Sequence, residues 1–290
     1  MSRAPRKIRN SAALKQSKGR ALGKKSGSTA KVKRPQTLES FKAQYIRRLN
    51  DLHVGMQLTV AGLHLHRERV LHRRGRSEYH HFVVPSGGGK ETARIRRNQT
   101  NMVGMLDQMI AEGERRKSLL MAVSLTEDYI LNILKLVLRA HPERLSRGAR
   151  GGDAETVVKL EDLLTKTRDD ILEEKIQLRL NRALYASPAD YLRYLGETLE
   201  IAIDPQIAGQ FVETKATRDI VIHANGQANE KYVEKAGPRS RARPGQALPV
   251  DAAYLDTAFA NMKALIVSTH CRLEERYQGD EAIERYVGRL

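Results

Sequence analysis

From Thr37 onward, apolar residues recur every three to four positions, the spacing of helices that bury one face. Leu38, Phe41, Tyr45 and Leu49 open the pattern, which predicts a helix from Thr37 through Leu71. A second helix is expected from Thr92 to Lys117. The cleanest amphipathic run is Val123–Arg139. Val123, Ile130, Leu134 and Val137 form its apolar stripe, and Asp128, Asn132, Lys135 and Arg139 its polar face. His141-Pro142 ends it, because a residue before proline leaves the helical region. A charged helix is expected over Thr156–Leu184, with apolar positions at Leu160, Leu164, Ile171, Leu172 and Ile176. Ser187-Pro188-Ala189-Asp190 is a helix start, with Ser as N-cap and Pro at the first position. Asp204-Pro205 starts the next helix, ending at His223, and Asp251 caps a last one through Tyr277.

Little else has a strand period. His80–Val84 is a short extended piece, and Pro85–Lys90 a flexible linker. The linker is a poor phosphate-binding loop, since Val84 stands where the first Gly belongs and Glu91 follows the lysine. Arg147–Asp153 and Gly237–Val250 are loops. The expected class is therefore all-α, a helical bundle. Three segments are expected: a tail over 1–36, a helical region over 37–117 and a helical domain over 118–290.

Two residues break the pattern. Glu127 falls on the apolar stripe of its helix. Arg218 does the same: counted from Ile207, it shares a stripe with Phe211, Thr214 and Ile222. A buried charge is costly unless paired, so the two are expected to meet. Such a pair marks either a functional site or a structural bridge that sets helix register, and both readings stay open.

The helix carrying Arg218 ends on a polar tip. Asn225 tolerates the left-handed region and Gly226 favours it, which places His223 in the last turn, where the helix dipole favours positive charge. An Arg and a His beside an exposed helix end suit an anionic substrate. The spacing alone is common here, at Arg48/His53, Arg67/His72 and Arg76/His81. Five residues apart, Arg218 and His223 point about 140° away from each other on a continuous helix.

Charge is unevenly placed. The net value is +17, yet residues 1–36 hold 12 Lys or Arg and no acid, leaving the other 254 residues at +5. The tail cannot bury enough apolar surface to fold and is expected to be disordered, either an anchor for polyphosphate or a solubilising extension. Arg239, Arg241 and Arg243 in the loop after Gly237 are candidate RNA contacts. With 5% aromatic residues and no Trp, a base-stacking platform is not expected. One cysteine, Cys271, excludes an intramolecular disulfide and a cysteine zinc site. His64 and His66 lie two apart and diverge on a helix, so no metal or other cofactor is expected. No apolar run approaches a membrane span, and the expected compartment is the cytoplasm.

The helix with Glu127, the Pro-started helix leading into Arg218-Asp219-x-x-x-His223, the Asn225-Gly226 stop and Asn229-Glu230-Lys231-Tyr232 together resemble the HEPN superfamily, closest to the subgroup associated with RiboL-PSP-type proteins. The resemblance covers about residues 118–276. It implies an antiparallel helical bundle, and a homodimer that brings two Arg/His tips into one cleft. It also implies a metal-independent endoribonuclease, acting as a toxin or defence effector. His223 would be the acid or base, Arg218 the group that stabilises phosphoryl charge, and Asp219 an orienting residue, supported by Glu127 and Asn225. Products would be a 2′,3′-cyclic phosphate and a 5′-hydroxyl. The family also contains non-catalytic modules that bind RNA or nucleotides or mediate assembly. Some members pair with antitoxins and carry a Tyr two residues after the His, where this chain has Asn225.

Overall fold

The computed structural model describes residues 37–72, 79–87, 92–146 and 157–288. The basic tail and the glycine-rich loop after Arg147 lie outside these residues. Thr37 caps α1 (Leu38–Leu71): its hydroxyl accepts from Ser40 N, and Ser40 Oγ accepts from Thr37 N. Next come β1 (Tyr79–Pro85), β2 (Thr92–Asn98) and α2 (Gln99–Gln108). A π turn (Met109–Gly113) joins α2 to α3 (Glu114–Ala140), and a 3₁₀ turn, Pro142–Ser146, follows. The rest is α4 (Leu160–Thr165), α5 (Arg168–Tyr185), α6 (Pro188–Leu199), α7 (Pro205–His223), α8 (Glu230–Ala236), α9 (Ala252–Tyr277) and α10 (Glu281–Val287). The class is all-α, a helical bundle with one two-stranded ribbon.

Four differences from expectation have physical causes. Thr92–Asn98 is a strand and not the start of a helix, so a strand-period region does exist. It pairs antiparallel with β1, placing Phe82 opposite Ile95. A local helical spacing yields here to cross-strand pairing, and α2 begins only where Asn98 Oδ1 accepts from Asn101 N at 2.8 Å. The expected linker connects the two strands, and its residues 88–90 lie outside those described. The helix expected over Thr156–Leu184 breaks between Thr165 and Arg168. Thr167 and Asp170 form a capping box there, which competes with helix continuation. Leu160 and Leu164 are exposed, at 72% and 78%. Finally, the boundary expected at 117/118 falls inside α3, and the described residues belong to one compact unit.

The core explains that unity. Phe41, Tyr45 and Leu49 on the first half of α1 are buried with α3 and α9. Phe41 and Tyr45 both pack on Tyr129, with ring centroids 5.7 and 5.4 Å away. The far end of α1 has a small cluster of its own, Val70 with Met102 and Leu106 of α2. α7 is the central helix: all seven residues Phe211–Thr217 are buried. It is therefore covered on every side, not along one stripe. The expected stripe fails at its end, where Ile222 is 48% exposed. No described helix is long and apolar enough to cross a membrane.

Candidate functional site

Burial of α7 on all sides forces its charged residues to find partners. Glu127, at the middle of α3, meets two of them. Arg218 Nη2 lies 3.1 Å from its Oε2 and 3.3 Å from its Oε1. The pairing expected from helix phase is present. Lys215, one turn earlier on α7, adds a second cation. Its Nζ lies 2.7 Å from Glu127 Oε1, without the alignment of a hydrogen bond. The same Nζ sits 4.8 Å from the centroid of Tyr191. Burial, and then the charge of Glu127, hold the Tyr191 hydroxyl well above its ordinary pKa. One carboxylate thus serves two cations in a nearly dry environment.

The remaining donors of Arg218 are only partly used. Nη1 lies 3.4 Å from Asp219 Oδ1, and Nε is buried with no hydrogen-bond partner among the described residues. Asp219 faces the other way as well, accepting from Lys235 Nζ of α8 at 3.0 Å. It therefore links the Glu127 pair to a groove of about 360 Å³ between α7 and α8. Asp219, His223, Asn229, Lys231 and Lys235 line it. His223 is exposed in the last turn of α7, as expected, and Arg218 is not among the lining residues.

Beyond His223 the chain turns through two left-handed residues, Asn225 at φ 50° and Gly226 at φ 80°. Gly226 N donates to Ile220 O at 3.1 Å, closing the helix end. Gly226 also faces a side chain of α3 at close range. A Cβ there would stand 2.6 Å from Nη2 of Arg116, a residue of α3 that also pairs with Glu112. Arg116 thus lies against the tip, a neighbour that sequence reasoning missed. The tip is held from outside by Leu248 N, which donates to Gly226 O at 2.7 Å.

The Asn229–Tyr232 string has structural work. Asn229 caps α8, accepting from Tyr232 N at 3.0 Å. Tyr232 donates to Glu213 of α7 at 3.0 Å. Glu213 also accepts from Thr217 at 2.7 Å, from Tyr254 at 2.9 Å and from Arg241 Nε at 2.9 Å. Four donors satisfy a nearly inaccessible carboxylate. Arg241, one of the candidate RNA contacts, is therefore committed elsewhere. It donates to Pro249 O at 3.0 Å and stacks on the Tyr254 ring at 3.5 Å. Arg239 packs on Gly209 and lines a different groove, with Arg193 and Pro205. Arg243 is exposed.

Lys215 lies three residues before Arg218, but a helix read as burying one stripe gives no signal for it. Lys231 was legible in the same string as Tyr232, and Lys235 follows three residues later. Arg116 and the Glu213 network had no such signal, because their partners are far away in the chain. A metal-capable cluster among the described residues was hidden for the same reason. Glu39, His270 and Glu274 hold ligand atoms within 4.8 Å of one another, and Glu39 is 231 residues from His270. None of the residues at the α7 tip belongs to it. Comparison of the chain with protein-family models, with curated proteins and with solved structures found no match.

Proposed function

We propose that the chain is an endoribonuclease of HEPN type that uses Arg218 and His223 and needs no metal ion. One observation carries this reading. His223 stands exposed on a groove whose charged lining is Asp219, Lys231 and Lys235, at a helix end that favours a cation. The lysines hold a phosphate. A neutral imidazole takes the proton of the RNA 2′-hydroxyl, whose oxygen attacks the adjacent phosphorus. The bond from phosphorus to the 5′-oxygen breaks, and a protonated imidazole gives that oxygen its proton. The products are a 2′,3′-cyclic phosphate and a 5′-hydroxyl. Arg218 stabilises the phosphoryl charge through its planar fork. To do so it leaves Glu127, which Lys215 keeps paired. Two protomers set tip to tip bring Arg218 of one beside His223 of the other, which answers the divergence of the two side chains on one helix. In this reading the chain acts as a toxin or defence effector, and an antitoxin would cover the tip.

A second reading follows from the pairing of Arg218 with Glu127 in the free chain: a non-catalytic module that binds RNA or a nucleotide in the same groove. One experiment separates the two. Labelled RNA is incubated with the protein in chelator, beside His223→Ala. Cyclic-phosphate ends that vanish in the variant support cleavage. RNA binding with no cleavage supports the second reading, and full cleavage by His223→Ala sinks the first.

A further inference from the structure

The ribbon β1–β2 has no part in the α7 tip. Its 14 strand residues hold three arginines and two histidines and no acid. Strand alternation sorts them. In the observed register Tyr79, His81 and Val83 share a face with Arg94 and Arg96, since His81 is opposite Arg96 and Val83 is opposite Arg94. All five are exposed, whereas on the other face His80, Val84, Ala93 and Ile95 are half-buried and only Phe82 and Arg97 are exposed. Among the described residues neither Arg94 nor Arg96 has an acidic partner. The face is therefore cationic, unneutralised and turned to solvent.

We propose that this face binds double-stranded DNA, with Arg94 and Arg96 on the phosphates that flank the major groove. The argument is one of shape and charge. A two-stranded ribbon is a unit that the B-form major groove admits, about 12 Å wide. Seven strand residues at ~3.3 Å each span about 23 Å, some two-thirds of a duplex turn of ~34 Å. The deep, narrow major groove of A-form RNA excludes such an element. An unpaired strand would need aromatic faces on which to stack. The exposed face offers the Tyr79 ring, which the Arg96 guanidinium already covers at 4.9 Å, and beside it only the small imidazole of His81. DNA has no 2′-hydroxyl, so this binding is independent of the cleavage reading.

The test is the affinity of the full chain for a labelled 20-base-pair DNA duplex, measured by anisotropy across a salt series. It is repeated with RNA duplex and single-stranded RNA of the same sequence. The double variant R94Q/R96Q is compared with the unchanged protein. Both side chains are exposed, so the fold is not at risk, and the basic tail contributes equally to both. Each phosphate contact adds about one unit to the slope of log K against log salt. The variant is expected to bind the DNA duplex with a slope shallower by about two, and to lose less on either RNA. An unchanged slope on the DNA duplex overturns the proposal. So does an equal or larger loss on either RNA.

Discussion

Glu127 and Arg218, 91 residues apart in the chain, meet at 3.1 Å on facing helices, and Lys215 shares the same carboxylate. The contact joins the midpoint of α3 to the last turns of α7. Removing the carboxylate leaves two partly desolvated cations without their counter-charge. Glu127→Ala is therefore expected to cost about 3–5 kcal/mol, read from urea denaturation. A midpoint that does not move would show that water enters and screens both cations.

His223 is exposed and holds up nothing else, so His223→Ala should leave the far-UV spectrum and the melting temperature unchanged. If the imidazole is the base, single-turnover RNA cleavage should fall about 10²–10⁴-fold. Mixing that variant with Arg218→Lys, which keeps a cation beside Glu127, asks whether the site is shared. Recovered cleavage places Arg218 of one protomer beside His223 of another. Arg218→Lys that is fully active alone removes the role given to its planar fork.

Glu173 on α5 supplies the pH dependence. Burial opposes its charge, but hydrogen bonds from Lys135, Gln177 and Arg139 outweigh that and hold its carboxyl at about 2, below the ordinary 4.5. A group lowered on folding stabilises fully above its unfolded pKa, and that contribution fades as pH falls from about 4.5 toward 2. The stability gap between the protein and Glu173→Gln should be full at pH 6, narrower at pH 3 and closed only as pH falls to about 2. A gap equally large at pH 6 and pH 3 would assign the effect to packing instead of charge.

Glu213 predicts a loss without any loss of bulk. Tyr254→Phe removes one hydrogen bond to a buried carboxylate and is expected to cost about 1.5–3 kcal/mol. Denaturant titration checks it. Because Arg241 belongs to the same cluster, Arg241→Ala should destabilise the fold at every ionic strength, with no change in the salt dependence of RNA binding beyond its single charge.

Particular residues show how far the sequence could be read. Helix starts were legible because they are local: Ser187, Asp204 and Asp251 each sit beside the helix they start. The Glu127–Arg218 pair was legible because each residue violates a periodic stripe, and a violation can be counted on one helix at a time. The strand at Thr92 was not, since its partner β1 decides it and no window around Ile95 includes Phe82. Lys215 was hidden by the assumption that α7 has one buried face. Arg241 read as a basic loop residue, and only its distance to Glu213 shows it to be a structural one.

The Glu213 cluster has a consequence for the order in which the chain is made. Synthesis runs from the N-terminus, so α7 and His223 leave the ribosome before the residues that hold them. Arg241 and Leu248 follow, and Tyr254 comes last of the four donors to Glu213. Until then the carboxylate must be hydrated, and the α7 tip lacks its outer clasp. A nascent or truncated chain that stops short of Tyr254 carries every residue of the α7–α8 groove and still cannot build it as described. Any activity of that groove is thereby delayed until Tyr254 has been made and has reached Glu213.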